Sequence, residues 1–237
     1  MGYDVSFHPI SPEEIREWYV TPLTWVQQGE EEKVLAFAAQ HGMEDFYAEK
    51  YLNTLQVGVE TESAELFDKS HGFYIAVIQG FFRDYFYTRG SAFSFLAEEK
   101  PEYTRYFTPW EQIVPAAFSN PAENRIIENY CSGVYLSPAQ AVQLLQDLEQ
   151  DRKVLEDLEE LWCNGQLAVL KKALTAAVEL GVGLLEATEV VEPNPIAPNE
   201  STSYSNLYHC DRDGVYLYMD LAMRQLAKAM GDSTDDR

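Results

Sequence analysis

Between residues 137 and 187, apolar side chains recur at the spacing of a helical hairpin, and this pattern constrains the fold more than any other part of the chain. Ser137 can cap a helix and Pro138 suits its first position. The apolar residues that follow have the alternating spacing of a heptad seam, with Asp151 as the one polar break. They are Leu144, Leu148, Leu155, Leu158 and Trp162. After Asn164-Gly165, a second stripe comprises Leu167, Leu170, Leu174, Val178, Leu184 and Leu185. The pattern predicts two long helices, 137–162 and 167–187, packed as an antiparallel hairpin.

Helical patterns also dominate the rest of the chain, and we predict a mainly α fold with one globular domain over residues 1–237. Ser11 begins the first helix, because Glu14 completes a capping box with it. Further helices are predicted at 30–41, 43–57, 64–67, 72–87, 92–99, 109–118 and 213–230. One or two minor strands are expected, at 3–8, where polar and apolar residues alternate, and at 206–209. This order would subdivide the domain into an aromatic-rich helical core (1–136), the hairpin (137–192) and a C-terminal strand and helix (200–230).

The charge balance is the strongest indication of function. The chain has 39 Asp and Glu against 17 Lys and Arg, a formal net charge of −22. Such a surface repels nucleic acid and anionic membranes and attracts basic partners. The most apolar run, 73–82, is too short for a membrane-spanning helix, and the N-terminus lacks the pattern of a signal peptide. The three cysteines show no C-x-x-C spacing, which favours reduced thiols, so we expect a cytoplasmic protein.

Signatures of catalysis are scarce. The chain has no G-x-S-x-G, no H-E-x-x-H and no glycine-rich phosphate loop, so we predict no catalytic residue, no metal and no cofactor. His209 and Cys210 are neighbours, but adjacent residues of a strand point to opposite faces. An enzyme with a carboxylate pair stays open, because acids are so abundant that no single pair is informative.

The candidate partner-binding residues are runs of acids and a group of aromatic residues. The acids are Glu30, Glu31, Glu32, Glu60, Glu62, Glu65, Asp68, Glu156, Asp157, Glu159 and Glu160. The aromatic candidates are Tyr85, Tyr87, Tyr103, Tyr106 and Trp110. The acids would steer a basic partner and the aromatic rings would anchor it. Solvated helix faces for the acids, and core packing for the aromatic residues, stay open as alternatives.

Two segments resemble a known group of proteins. The opening MGYDVSFHPISPEEI and the ending NLYHCDRDGVYLYMDLAMRQL are similar to bacterial immunity proteins that neutralise polymorphic and type VI secretion toxins. The resemblance implies an acidic, non-enzymatic protein that binds one cognate toxin and covers its active site. It assigns no functional residue, because such families share no binding motif.

Three hypotheses follow. The first is an acidic binding protein that neutralises a cognate basic toxin or effector. The second is a hydrolase-type enzyme that uses carboxylates or the neighbourhood of His209 and Cys210. The third is a helical adaptor or structural protein that self-associates through the hairpin, and the sequence leaves the oligomeric state open.

Overall fold

A mixed β-sheet of five strands lies at the centre of the molecule. The computed structural model describes residues 3–61, 69–113 and 133–232. The strands, in chain order, are β1 (Tyr3–Ile10), β2 (Tyr85–Gly90), β3 (Tyr135–Leu136), β4 (Gly183–Thr188), β5 (Val191–Glu192), β6 (Thr202–Ser203) and β7 (Cys210–Asp211). The central sheet has the order β3-β4-β1-β2-β7, in which β2 and β7 are parallel and the other pairs are antiparallel. Strands β5 and β6 form a separate antiparallel pair.

The prediction of a mainly α fold with one or two minor strands is therefore wrong, because the chain is an α/β protein. The two partners of β1 cause the difference. All six residues of β4 are buried, and so are the first four of β2. Strands that are buried on both faces have continuous apolar runs rather than alternation, and such runs are easily assigned to neighbouring helices.

Helices cover both faces of the sheet. One face carries α1 (Pro12–Ile15), a π-helical turn (Arg16–Val20), α2 (Thr21–Gln27), α3 (Glu31–Gln40), α4 (Asp45–Val59) and α5 (His71–Phe82). The other carries α6 (Phe93–Glu99), α7 (Pro138–Gln150), α8 (Arg152–Leu161) and α9 (Leu167–Leu180). The last helix, α10 (Asp213–Asp232), begins against β2. Short 3₁₀ turns occur at Pro101–Tyr106, Trp110–Gln112, Pro198–Glu200 and Leu207–His209.

The predicted strand at 3–8 is confirmed as β1, but its polar side is also buried. Val5 and Phe7 belong to the core on the α6–α9 face. Ser6 and His8 point to the opposite face and are equally buried, because α5 covers them. The alternating apolar and polar residues of β1 therefore face two different buried layers, and neither side of the strand faces solvent.

The bounds of both helices in the predicted hairpin are wrong. Asp151 interrupts its first helix, since the Asp151 carboxylate accepts hydrogen bonds from the N–H groups of Lys153 (2.9 Å) and Val154 (3.3 Å) and caps α8. Gly181 ends the second helix with a left-handed φ of 68°, a conformation that glycine adopts at little cost. Leu184 and Leu185 consequently lie in β4, on opposite faces of the sheet.

Other boundaries differ more simply. The helices predicted at 30–41, 43–57, 92–99 and 213–230 are confirmed within about two residues. The helix predicted at 72–87 ends at Phe82, and its last three residues belong to β2. A 3₁₀ turn occupies most of the strand predicted at 206–209. The helix predicted at 64–67 lies outside the described residues, as does the second half of the one predicted at 109–118, whose first half contains a 3₁₀ turn.

Candidate partner-binding surface

Helices α3 and α4 pack side by side and present one continuous acidic edge. Glu31 and Glu32 occupy the first turn of α3, where the helix dipole favours carboxylates. Val34 and Ala38 turn towards the core and hold α3 in place. The Gln56 side chain of α4 donates a 2.8 Å hydrogen bond from Nε2 to Glu31 Oε1, so the start of α3 lies beside the end of α4.

The outer stripe of α4 combines acidic and apolar side chains. Its members follow one another at spacings of three or four residues, which places them on one helix face. They are Phe46, Glu49, Asn53, Val57 and Glu60, and all are exposed. Phe46 is 61% exposed and Val57 is 43% exposed, so the stripe offers apolar surface between its acids. The Lys50 ammonium lies 5.3 Å from the centre of the Phe46 ring.

Most carboxylates on this edge have no cation beside them in the part of the chain that the structure describes. Residues 30–60 contain seven Asp and Glu but only two lysines, and the Lys33 ammonium is 2.6 Å from a Glu30 oxygen. Within the described parts of the chain, Glu31, Glu32, Glu49 and Glu60 form no ion pair. We call these four carboxylates, with Phe46 and Val57, the α3–α4 acidic surface. Of the predicted acids, Glu62, Glu65 and Asp68 lie outside the described residues.

The second predicted acid run, on α8, belongs to the opposite face of the sheet and is partly neutralised. Glu156 pairs with Arg152 at 2.6 Å. Asp157 accepts 2.6 Å hydrogen bonds from the Lys100 ammonium and the Tyr103 hydroxyl. Glu159 and Glu160 are exposed on the same helix. The two acid runs therefore do not form one surface.

The aromatic candidates are core residues, so their prediction as exposed anchors is wrong. Tyr85, Tyr87, Tyr103, Tyr106 and Trp110 are each at most 2% exposed. The Tyr103 and Tyr106 hydroxyls reach Asp157 and Asp147 and hold the turn that carries them against α7 and α8. Burial explains the aromatic content of this region, because large rings fill the space between sheet and helices.

The neighbourhood of His209 and Cys210 offers no activated nucleophile. Burial raises the pKa of the Cys210 thiol to about 12, so the thiol is protonated at neutral pH. The His209 ring bonds through Nδ1 to the Gly80 carbonyl oxygen at 2.9 Å. Over 3–61, 69–113 and 133–232, no group of three or more His, Cys, Asp or Glu residues is placed to hold a metal ion.

A buried network joins a serine, a histidine and a third side chain in the sequence found in serine hydrolases. Unlike a hydrolase site, it is not open to solvent. Ser6 Oγ lies 2.8 Å from His8 Nε2, and His8 Nδ1 lies 2.8 Å from Gln79 Oε1. Burial lowers the pKa of His8 to about 4, while the bond with Gln79 opposes that change only in part. All three side chains are at most 1% exposed, so a substrate cannot reach them. The network satisfies polar groups between β1 and α5.

Glu186 is a buried carboxyl that the sequence analysis missed. It lies in the middle of β4, on the same face as Phe7, and its Oε2 accepts a 2.8 Å hydrogen bond from the Phe93 N–H. Burial raises the pKa of Glu186 to about 8, against the opposing effect of the Phe93 and Ser94 N–H groups. A single acid inside the apolar run VGLLEAT is the signal that could have revealed it.

The apolar stripe of the predicted hairpin lies inside the chain's own core. Leu144, Leu148 and Leu158 are at most 2% exposed and pack with Phe93 and Trp162 on one face of the sheet. This packing leaves little of the stripe for self-association. The adaptor hypothesis required an apolar stripe that another copy of the chain could contact, and burial of the stripe argues against it.

Comparison with protein-family models, with curated proteins and with solved structures found no match to this chain. Among the described helices, none combines the length and the apolar character that crossing a membrane requires.

Proposed function

We propose that this chain is an acidic, non-enzymatic binding protein that neutralises a cognate basic bacterial toxin or effector by covering its active site. The observation that carries the proposal is the α3–α4 acidic surface, where four carboxylates that form no ion pair among the described residues share two adjacent helices with two exposed apolar side chains. This arrangement offers a basic partner both long-range attraction and a contact that excludes water.

The two components of the surface would act at different stages of binding. The carboxylates lie within a few helical turns of one another, so their potentials add over a Debye length of about 8–10 Å. They would raise the rate of encounter with a basic cleft. Phe46 and Val57 would then be buried in the complex and would slow dissociation.

Affinity capture from the native host tests this function. The tagged chain should retain a basic protein in stoichiometric amount, and that protein should be toxic to cells that lack this chain. In purified form, the association rate should fall by about tenfold or more between roughly 0.05 and 0.5 M salt. An association rate that does not depend on salt would contradict the role given to the carboxylates.

Matched charge variants locate the contact. The test variant replaces Glu31, Glu32, Glu49 and Glu60 with glutamine, and the control replaces four exposed glutamates outside the predicted contacts, Glu99, Glu111, Glu149 and Glu179. Both variants lose the same charge. We expect the test variant to bind at least about tenfold more weakly and the control to change by less than about threefold. Equal losses in both variants would exclude the α3–α4 surface as the contact.

Phe46→Ala examines the anchor separately. It should increase the dissociation rate about tenfold or more and leave the association rate nearly unchanged, since no charge is altered. An unchanged dissociation rate would show that Phe46 remains outside the contact.

A further inference from the structure

A pocket of about 400 Å³ lies between the end of β2, the turn that joins α8 to α9, and α10. None of the residues that line it belongs to α3 or α4. The turn contains two successive residues with positive φ, Asn164 at 57° and Gly165 at 84°. The main walls of the pocket are Arg89, Gly90, Leu161, Gln166, Tyr218 and Leu221.

Gln166 lines this pocket with a polar group that has no partner. Its side chain is held on one side, since Oε1 accepts a 2.5 Å hydrogen bond from the Thr88 hydroxyl. Its Nε2 is buried and, within the described residues, makes no hydrogen bond, although Gln166 is only 3% exposed. Buried amide groups in folded proteins are nearly always paired, so an unpaired one beside a pocket indicates a missing acceptor.

Trp162 supplies a second unpartnered donor close by. Its indole Nε1 is also buried without a hydrogen bond in the part of the chain that the structure describes. Gly90 separates it from the pocket, and a Cβ at Gly90 would lie 3.1 Å from Trp162 Cδ1 and 3.7 Å from Nε1. A side chain at Gly90 would therefore crowd the indole ring, and glycine allows Trp162 to pack closely against the end of β2.

Arg89 adds a positive charge to the same pocket. Its Nη1 pairs with Asp4 across the strands, and its guanidinium carbon lies 5.2 Å from the centre of the Tyr218 ring. These two contacts fix the orientation of the guanidinium. Among the described residues, Asp4 is the carboxylate that pairs with Arg89, which leaves other N–H groups of the planar fork for a ligand.

The polarity of the pocket contrasts with that of the whole chain. The described residues that line it include Arg89 and several amide or hydroxyl groups but no Asp or Glu, although the chain has a net charge of −22. Leu161, Leu221 and the Tyr218 ring supply apolar walls. We propose that this pocket binds a small organic monocarboxylate with an apolar or aromatic body. Arg89 and the Gln166 amide hold the carboxylate, and the leucines and Tyr218 contact the body.

Cys163 lines the pocket and is exposed, so it reports on occupancy. The probe is phenylacetate, and the matched uncharged probe is phenylacetamide. We expect phenylacetate at about 10 mM to slow alkylation of Cys163 by iodoacetamide at least about fivefold, read by mass spectrometry of its peptide, while phenylacetamide protects less than about twofold. No protection by phenylacetate, or equal protection by both probes, would overturn the proposal.

Two variants separate ligand binding from structure. Arg89→Lys keeps the charge beside Asp4 but loses the planar fork, and Gln166→Met keeps the size but loses the amide. Each should weaken phenylacetate binding, measured by calorimetry, about tenfold. The control is Arg224→Gln, which removes an exposed cation of α10 outside the pocket lining and should change binding less than about twofold. Each variant is first checked for an unchanged circular dichroism spectrum. Equal affinity in all variants would contradict the assigned contacts.

Discussion

Replacing Glu186 with glutamine is expected to stabilise the folded chain, and the gain should grow with pH until about pH 8. The Glu186 side chain is 1% exposed, and burial raises its pKa from 4.5 to about 8. Its Oε1 has no hydrogen-bond partner among the described residues. Because the pKa is higher in the folded state than in the unfolded state, folding favours the protonated form. Stability is therefore lost as the pH rises from 4.5 towards 8.

The magnitude follows from the difference between the two pKa values. Each unit of difference between the folded-state and unfolded-state pKa corresponds to about 1.4 kcal/mol. Ionising Glu186 in the folded state therefore lowers the free energy of unfolding by at most roughly 5 kcal/mol above about pH 8. Between about pH 8.5 and pH 6.5, the wild-type chain should recover roughly 2 kcal/mol of this cost. Glutamine keeps the shape of the side chain and can still accept the Phe93 N–H bond, but it carries no charge. The variant should lack that part of the pH dependence.

Urea-induced unfolding, followed by tryptophan fluorescence at both pH values, measures the effect. The quantity compared is the change in the free energy of unfolding between the two pH values, because the net negative charge of the chain adds a similar change to every variant. Glu99→Gln, at an exposed position on α6, is the control and should behave like the wild type. An equal pH dependence in the wild type and in Glu186→Gln would refute the argument that burial raises this pKa.

Three further changes examine other parts of the fold. Burial lowers the pKa of His8 from 6.5 to about 4, so the wild type should lose roughly 3 kcal/mol of stability as the pH falls through that interval. His8→Gln should lack this loss in urea titrations at the two pH values. Gly214→Ala places a Cβ 1.7 Å from the Tyr87 carbonyl oxygen and should cost about 2 kcal/mol or more, seen as a lower melting temperature. Asp151→Ala removes the cap of α8 and should cost about 1 kcal/mol in urea unfolding, whereas Asp151→Asn should cost much less.

Local signals in the sequence predicted several elements correctly. The capping box predicted for Ser11 and Glu14 forms, and Ser137 caps α7 as predicted. Gly42 follows α3 with a positive φ of 74°, the conformation in which glycine commonly ends a helix. These features depend on residues within about four positions of one another, so they can be read without knowing the tertiary structure.

The candidate contacts were predicted less well, because exposure depends on the whole fold. Glu31 and Glu60 are far apart in the chain but lie at the same edge, since Gln56 and Glu31 are joined by a hydrogen bond between α4 and α3. Tyr87 belongs to a tyrosine-rich segment that was predicted to be an anchor, yet it is fully buried beneath α10. Phe46, in the helix predicted at 43–57, was not among the predicted contacts, although it is 61% exposed on α4.

By itself, the sequence determined the approximate bounds of α3, α4, α6 and α10 and how strongly negative the chain is, because capping, helical periodicity and charge are local properties. Only the tertiary structure decided that residues 183–188 form a strand between β1 and β3, that both faces of β1 are buried, and which carboxylates have no cation beside them among the described residues. Pairing of strands joins segments more than 170 residues apart, as at Phe7 and Glu186. The burial that results, rather than the residue type alone, sets the pKa of a carboxyl such as Glu186.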